Sequence, residues 1–235
     1  MLGLGARVSS GGAIEEFLPT DISNLSLWFK NDTNVTVGEW ADQSGNDNHM
    51  TQITSGDQAE KSEGGLLFAA GEGDHYDLVG SQVAITNEEG FTIFLVCKLT
   101  SITGNMTILS LNSVDHFLEF RSGADTIRIK LGGTITEISP GDGDDNDFPA
   151  GTKFLLTLVR EAGGTGNILL YKNGSLLAQD SQAANKLDAE FNSIGVRNND
   201  RFFDGIMHEL LVYESALSGD DLANVHNYLT GKFGV

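Results

Sequence analysis

Acidic side chains supply most of the chemistry this sequence can offer: 33 Asp and Glu stand against 14 Lys and Arg, a formal net charge of −19. The densest run is PGDGDDNDFP, residues 140–149. Asp142, Asp144 and Asn146 alternate there like the first half of an EF-hand calcium loop. Such a loop needs Gly at position six and a bidentate Glu at position twelve, where this chain has Asp147 and Lys153. An EF-hand proper is excluded. A loop-held Ca2+ site through Asp142, Asp144 and Asp147 is one expectation, and a solvated acidic loop is the other. A second cluster, WADQSGNDNHMTQ (residues 40–52), sets Trp40 before amides, acids and a histidine. It could bind calcium, grip a sugar or satisfy its own backbone.

Other catalytic patterns are missing. His49, His75, His116, His208 and His226 show neither H-x-H nor H-E-x-x-H spacing. No serine sits in a G-x-S-x-G elbow. Asp115 and Glu119 share strand parity in DHFLEF, whereas Glu209 and Glu214 differ by an odd number and face opposite ways on a regular strand.

The elements that must position these groups are strands. LSLWF alternates, FTIFLVCKL is a nearly continuous apolar run expected of a strand covered on both faces, and TIRIKL alternates strictly before Gly132-Gly133. Asn173-Gly174 inside NILLYKNGSLLAQ is a strong hairpin signal, because both residues accept positive φ. FLLTLVR and GIMHELLVY complete an all-β, two-sheet antiparallel sandwich or jelly roll, with Phe94, Val96, Leu156 and Leu158 expected in its core. One short C-terminal helix is expected near 219–230: Ser218 and Asp221 form an S-x-x-D capping pattern, and Leu222, Val225 and Leu229 share a face. The single cysteine, Cys97, excludes an intrachain disulfide and reads as a packed thiol. The acidic balance argues against nucleic acid as a partner, and no apolar run reaches the ~20 residues of a membrane span.

Several motifs, in order, carry a resemblance. LSLWF followed by W-x-D-x-S-G-x-x-N-H (Trp40, Asp42, Ser44, Gly45, Asn48, His49), then GLLFAAGEGDHYDL, ILLYKNGSLLA and the closing FFDGIMHELLVYESALSGDDLANVHNYLTGKFGV resemble laminin-G-like, concanavalin A-like lectin/glucanase domains. The resemblance spans roughly residues 21–235 and implies a concanavalin A-like jelly roll. It also implies that the segment after Trp40 is a tight connection, in which Asp42, Ser44 and Asn46 bond nearby backbone and Gly45 takes positive φ. The glucanases of this superfamily carry E-x-D-x-x-E on one strand, a string absent here, and Glu209 matches a position shared with non-catalytic relatives. The expectation is therefore a non-enzyme. Tyr76, Phe148, Phe202 and Phe203 lie near turns and are the aromatic candidates for a glycan platform.

Residues 1–20 read as a flexible attachment arm ahead of a 21–235 domain, with Leu2, Leu4 and Val8 as its apolar contacts. GLGARVSSGG resembles the Gly-rich start of structural proteins of marine tailed bacteriophages. That resemblance implies a virion surface protein (capsid decoration, tail or fibre component, possible homo-oligomer), made in a host cytoplasm because no secretory signal is evident. The alternative is an extracellular microbial carbohydrate-binding module; no cofactor beyond possible Ca2+ is expected.

Overall fold

The computed structural model describes residues 7–8, 14–78, 83–85, 90–112, 115–121, 126–131, 134–140, 147–163, 166–181 and 188–235. Two antiparallel eight-stranded sheets face one another, and a helix, Gly219–Phe233, covers the outside of the first. The expected concanavalin A-like jelly-roll sandwich with one C-terminal helix is present.

The first sheet, here the helix-backed sheet, runs Ser175–Ser181, Asn167–Lys172, Lys153–Arg160, Phe91–Leu99, Gly205–Tyr213, Gly65–Phe68, Glu60–Ser62. Gly205–Tyr213 is its axis: Phe91–Leu99 lies along one edge, while Gly65–Phe68 and Leu25–Lys30 share the other. Two-sided burial explains the apolar run FTIFLVCKL. Ile93, Leu95 and Cys97 point between the sheets, whereas Phe94 and Val96 point into a second apolar layer with Leu155, Leu211, Val225 and Leu229. Leu156 and Leu158 lie in the inter-sheet core. All four residues expected inside are buried, but Phe94 and Val96 serve the helix layer. Burial raises the Cys97 thiol pKa well above its ordinary value.

The helix docks by Val225 and Leu229, both fully buried, each worth about 1.5–3 kcal/mol in removed apolar surface. Gly234 ends it with φ 68°, donating its N–H to the Thr230 carbonyl at 2.9 Å. At the other end the capping pattern fails: the Ser218 hydroxyl makes no capping bond. Gly219 has φ 55°, so the chain has not yet turned right-handed where that hydroxyl would have to meet the first N–H groups.

The second sheet runs Thr134–Ile138, Ile127–Leu131, Phe117–Phe120, Met106–Ser110, Ser193–Ile194, Tyr76–Leu78, Met50–Thr51, Glu39–Trp40. A bulge between Thr107 and Leu109 sends both Ile108 and Leu109 into the core, which leaves Thr107 and Ser110 outward. Asn173 (φ 50°) and Gly174 (φ 79°) make the expected two-residue turn. Gly132 and Gly133 lie outside the described residues, though the flanking Leu131↔Thr134 pair leaves two residues between the strands.

Of the amino-terminal segment, Arg7–Val8 pairs with Ile14–Glu15 through Arg7↔Glu15 and Val8↔Ile14. Leu2 and Leu4 lie outside the described residues. Phe17 packs on the helix layer, and Tyr213 donates its hydroxyl to the Pro19 carbonyl at 2.9 Å.

His226 reports on this docking. It lies between the Phe94 and Tyr171 rings, 3.1 Å from the Thr157 hydroxyl, and burial lowers its pKa to about 4. Unfolding lets the ring regain its ordinary value of 6.5, so between those values the unfolded chain binds the extra proton. This contribution is present above pH 6.5 and is lost as pH falls toward 4. We expect the melting temperature to drop over that window, and His226→Gln to flatten the drop when melting curves of the two proteins are compared.

Candidate functional site

The Trp40–Gln52 cluster resolves into a turn. Trp40 is buried and donates its indole N–H to the Lys30 carbonyl at 2.8 Å. The Asp42 carboxylate accepts from the Trp28 N–H (2.9 Å), the Ser44 N–H (2.9 Å), the Ser44 hydroxyl (2.7 Å) and the Asn48 N–H (3.1 Å). Gly45 (φ 94°) and Asp47 (φ 58°) take the left-handed region that the tight path requires. The acid and hydroxyl therefore serve the backbone, as the spacing implied.

Glu209 is equally structural. It is fully buried on the helix side of Gly205–Tyr213, and its Oε1 accepts from the Trp28 indole at 2.7 Å and the Tyr228 hydroxyl at 3.1 Å. Its Oε2 accepts from Lys232 at 2.6 Å, and Lys232 also reaches Asp32 at 3.0 Å. Burial and the Glu209 charge push the Tyr228 hydroxyl pKa far up. No substrate could reach this carboxylate without displacing the helix.

The outer face of the second sheet carries a further set of polar and charged side chains. Cross-strand partners share a face, and one unbroken row crosses all eight strands: Glu39, Thr51, Asp77, Ser193, Ser110, Phe117, Lys130, Ile135. A shorter row beside it reads Thr107, Glu119, Arg128, Glu137. Glu119 is fully buried although it faces away from the core, because the connection 195–204 folds over it. Arg197 from that connection stacks 4.0 Å above the Phe117 ring and sets Nη2 3.1 Å from Glu119 Oε2. Arg128 meets Glu119 Oε1 at 3.1 Å and holds Glu137 through Nε (2.9 Å) and Nη2 (2.7 Å). Two arginines neutralise Glu119, so it cannot act as a free acid or nucleophile.

Further along the row, Ser193 donates to Asp77 Oδ1, and His75 Nε2 stands 3.8 Å from Asp77 Oδ2. His75 Nδ1 lies 2.8 Å from the Gly73 carbonyl, so it carries the proton and Nε2 accepts from Gln52 at 3.1 Å. The carboxylate sits between serine and imidazole. A serine nucleophile needs the imidazole in that middle place. Of the aromatic candidates, Tyr76, Phe148 and Phe203 are buried in the core. Only Phe202 is partly exposed, its ring 6.3 Å from His75.

In the acidic loop, Asp142 and Asp144 lie outside the described residues. Asp147 is largely buried, 3.9 Å from Lys172 Nζ. Among the described residues no three His, Cys, Asp or Glu side chains form a metal-holding group. Sequence reasoning missed the roles of Arg128, Arg197, Asp77 and Ser193. Alternation marks Asp77 as outward, but only cross-strand pairing brings residue 77 beside residue 193.

Residues 70–223 match the family described as the concanavalin A-like lectin/glucanases superfamily. The chain belongs to that superfamily. Similar solved structures include the binding domain of Paraclostridial Mosquitocidal Protein 1, at 16% identity and TM-score 0.64 over 90% of this chain and 53% of that one. Domain 4 of an extracellular arabinanase from Geobacillus stearothermophilus, solved with arabinotriose, gives 15% identity and TM-score 0.59 over 87% and 97%. Trypanosoma rangeli sialidase gives 12% identity and TM-score 0.59 over 97% of this chain and 36% of that one. The chain thus spans about half of the toxin chain and about a third of the sialidase. No curated protein matches the sequence.

In this superfamily member, Glu119→Ala should leave Arg128 and Arg197 without their shared counter-ion. A loss of about 3–5 kcal/mol is expected in urea unfolding, and Glu119→Gln should recover part of it.

Proposed function

We propose that this chain is a non-enzymatic, lectin-like binding module that presents the outer face of its second sheet to glycans or to a glycan-bearing surface. The observation that carries this reading is the fate of two fully buried glutamates, Glu119 and Glu209. Glu119 is spent on two arginines and Glu209 on helix docking. Within the row Ser193 and Ser110 are fully buried, so the groups that face outward are Thr51, the half-exposed Asp77 and, beside His75, Phe202. A hydroxyl and a carboxylate next to one partly exposed aromatic ring suit a sugar, which offers hydroxyls on its edge and an apolar face. That an arabinanase domain of this fold was solved with arabinotriose is in keeping with this reading.

The setting we infer is a virion surface, as a capsid decoration or a tail or fibre component, with residues 1–20 as the attachment arm. Its support is the Gly-rich start GLGARVSSGG and the charge of −19. A free microbial carbohydrate-binding module would use the same face.

On a glycan array followed by titration in EDTA, Asp77→Ala and Phe202→Ala should each weaken binding about tenfold or more while leaving the fold melting cooperatively. No sugar should be released. Turnover of any glycan that is lost in Glu119→Gln or Glu209→Gln would overturn the non-enzymatic reading. Mass spectrometry of purified virions tests the setting, with the chain expected among the structural proteins.

A further inference from the structure

A pocket of ≈ 420 Å³ opens behind the helix-backed sheet, between Glu16 and Phe17 on one side and the closing helix on the other. Asn224, Asn227, Tyr228 and Gly231 line it from the helix, at the i, i+3, i+4 and i+7 spacing of a single face. The Phe17 and Tyr228 rings meet edge to face, their centroids 6.4 Å apart and their planes at 69°, and so form an aromatic corner. Gly231 leaves that corner open. Inside a helix glycine is less favourable than alanine, and a Cβ at 231 would meet nothing within 4 Å, so packing does not demand the glycine.

The charge around the corner is one-sided. Lys232 also lines the pocket, but its ammonium is turned to Glu209 at 2.6 Å and Asp32 at 3.0 Å, and Lys30 stands 3.6 Å from Asp32. Two ammonium groups thus answer two carboxylates, and the exposed Glu16 at the rim adds a third. Burial and the charges of Glu209, Asp32 and Glu16 all push the Tyr228 hydroxyl pKa up, so the field of Glu16 reaches this ring.

We propose that this pocket binds a quaternary methylammonium group, such as that of choline, against the Phe17 and Tyr228 rings with Glu16 as counter-charge. Aromatic rings attract a cation through their quadrupole, and a methylated nitrogen brings no N–H donor that the carbon surface would leave unpaired. A sugar ring stacks on a flat exposed face, which two rings at 69° do not offer. The site lies away from the glycan face and does not rest on that reading.

The test is calorimetric titration with choline chloride at constant ionic strength, beside dimethylbutanol, its uncharged isostere with carbon in place of nitrogen. Wild type should bind choline saturably with a Kd of about 10⁻³ M, and the isostere about fivefold more weakly, the factor that one cation–π contact supplies. Phe17→Ala should weaken choline binding about tenfold and Glu16→Gln about threefold. Gly231→Leu, which fills the opening with a better helix former, should abolish choline binding while melting no lower than wild type and binding glycans as wild type does. Phosphatidylcholine vesicles carry the same group: co-sedimentation that Gly231→Leu abolishes identifies a lipid headgroup as the source, and choline binding without sedimentation identifies a free solute. The absence of saturable choline binding, equal affinity for the isostere, undiminished binding by Gly231→Leu, or glycan binding lost in that variant would each overturn the assignment.

Discussion

A single buried carboxylate holds the two ends of the sequence together. Glu209 sits in the axial strand of the helix-backed sheet, and its donors come from Trp28 near the start of the described domain and from Tyr228 and Lys232 in the closing helix. Removing a charge from water is unfavourable unless its hydrogen bonds are replaced, and here strand and helix must both be in place to replace them. The apolar layer of Phe94, Val96, Leu211, Val225 and Leu229 supplies the driving force, while Glu209 fixes the registry in which that layer closes.

Glu119 performs a comparable task on the opposite side of the sandwich. It draws Arg197, and with it the connection after Ile194, down onto a sheet face that would otherwise be open. The cation–π contact with Phe117 adds to this hold on Arg197. The two acids that most resemble catalytic groups by position are thus the two most fully committed to architecture. What stays available along the outer row is modest chemistry: the Thr51 hydroxyl, the half-exposed Asp77 carboxylate and, beside them, the partly exposed Phe202 ring.

Much of the architecture could be read from local pattern. Alternation in TIRIKL, the run FTIFLVCKL and the Asn173-Gly174 turn each have a local physical cause, and each forms the expected element. The Asp42–Asn48 turn was legible for the same reason, since its bonds close within a few residues or onto the neighbouring strand. Helix capping at Ser218 was misread because Gly219 changes the local path. The two apolar layers could not be separated, since Phe94 and Leu95 look alike until each sheet face is assigned a partner. The sheet-face row was illegible altogether. Its members run from Glu39 to Ser193, and non-local pairing alone sets them side by side.

The placement of the closing helix has a directional consequence. Phe17 and the helix ending at Phe233 both pack on the outside of the helix-backed sheet, on the side away from the row that contains Asp77 and Ser193. Anything joined after the helix, whether a neighbouring domain, a linker or a supporting surface, departs from the rear of the sandwich. The molecule therefore has a front and a back: a tether at the carboxyl-terminal end leaves the row that contains Asp77 on the far side, and many copies on one support would all display the same face.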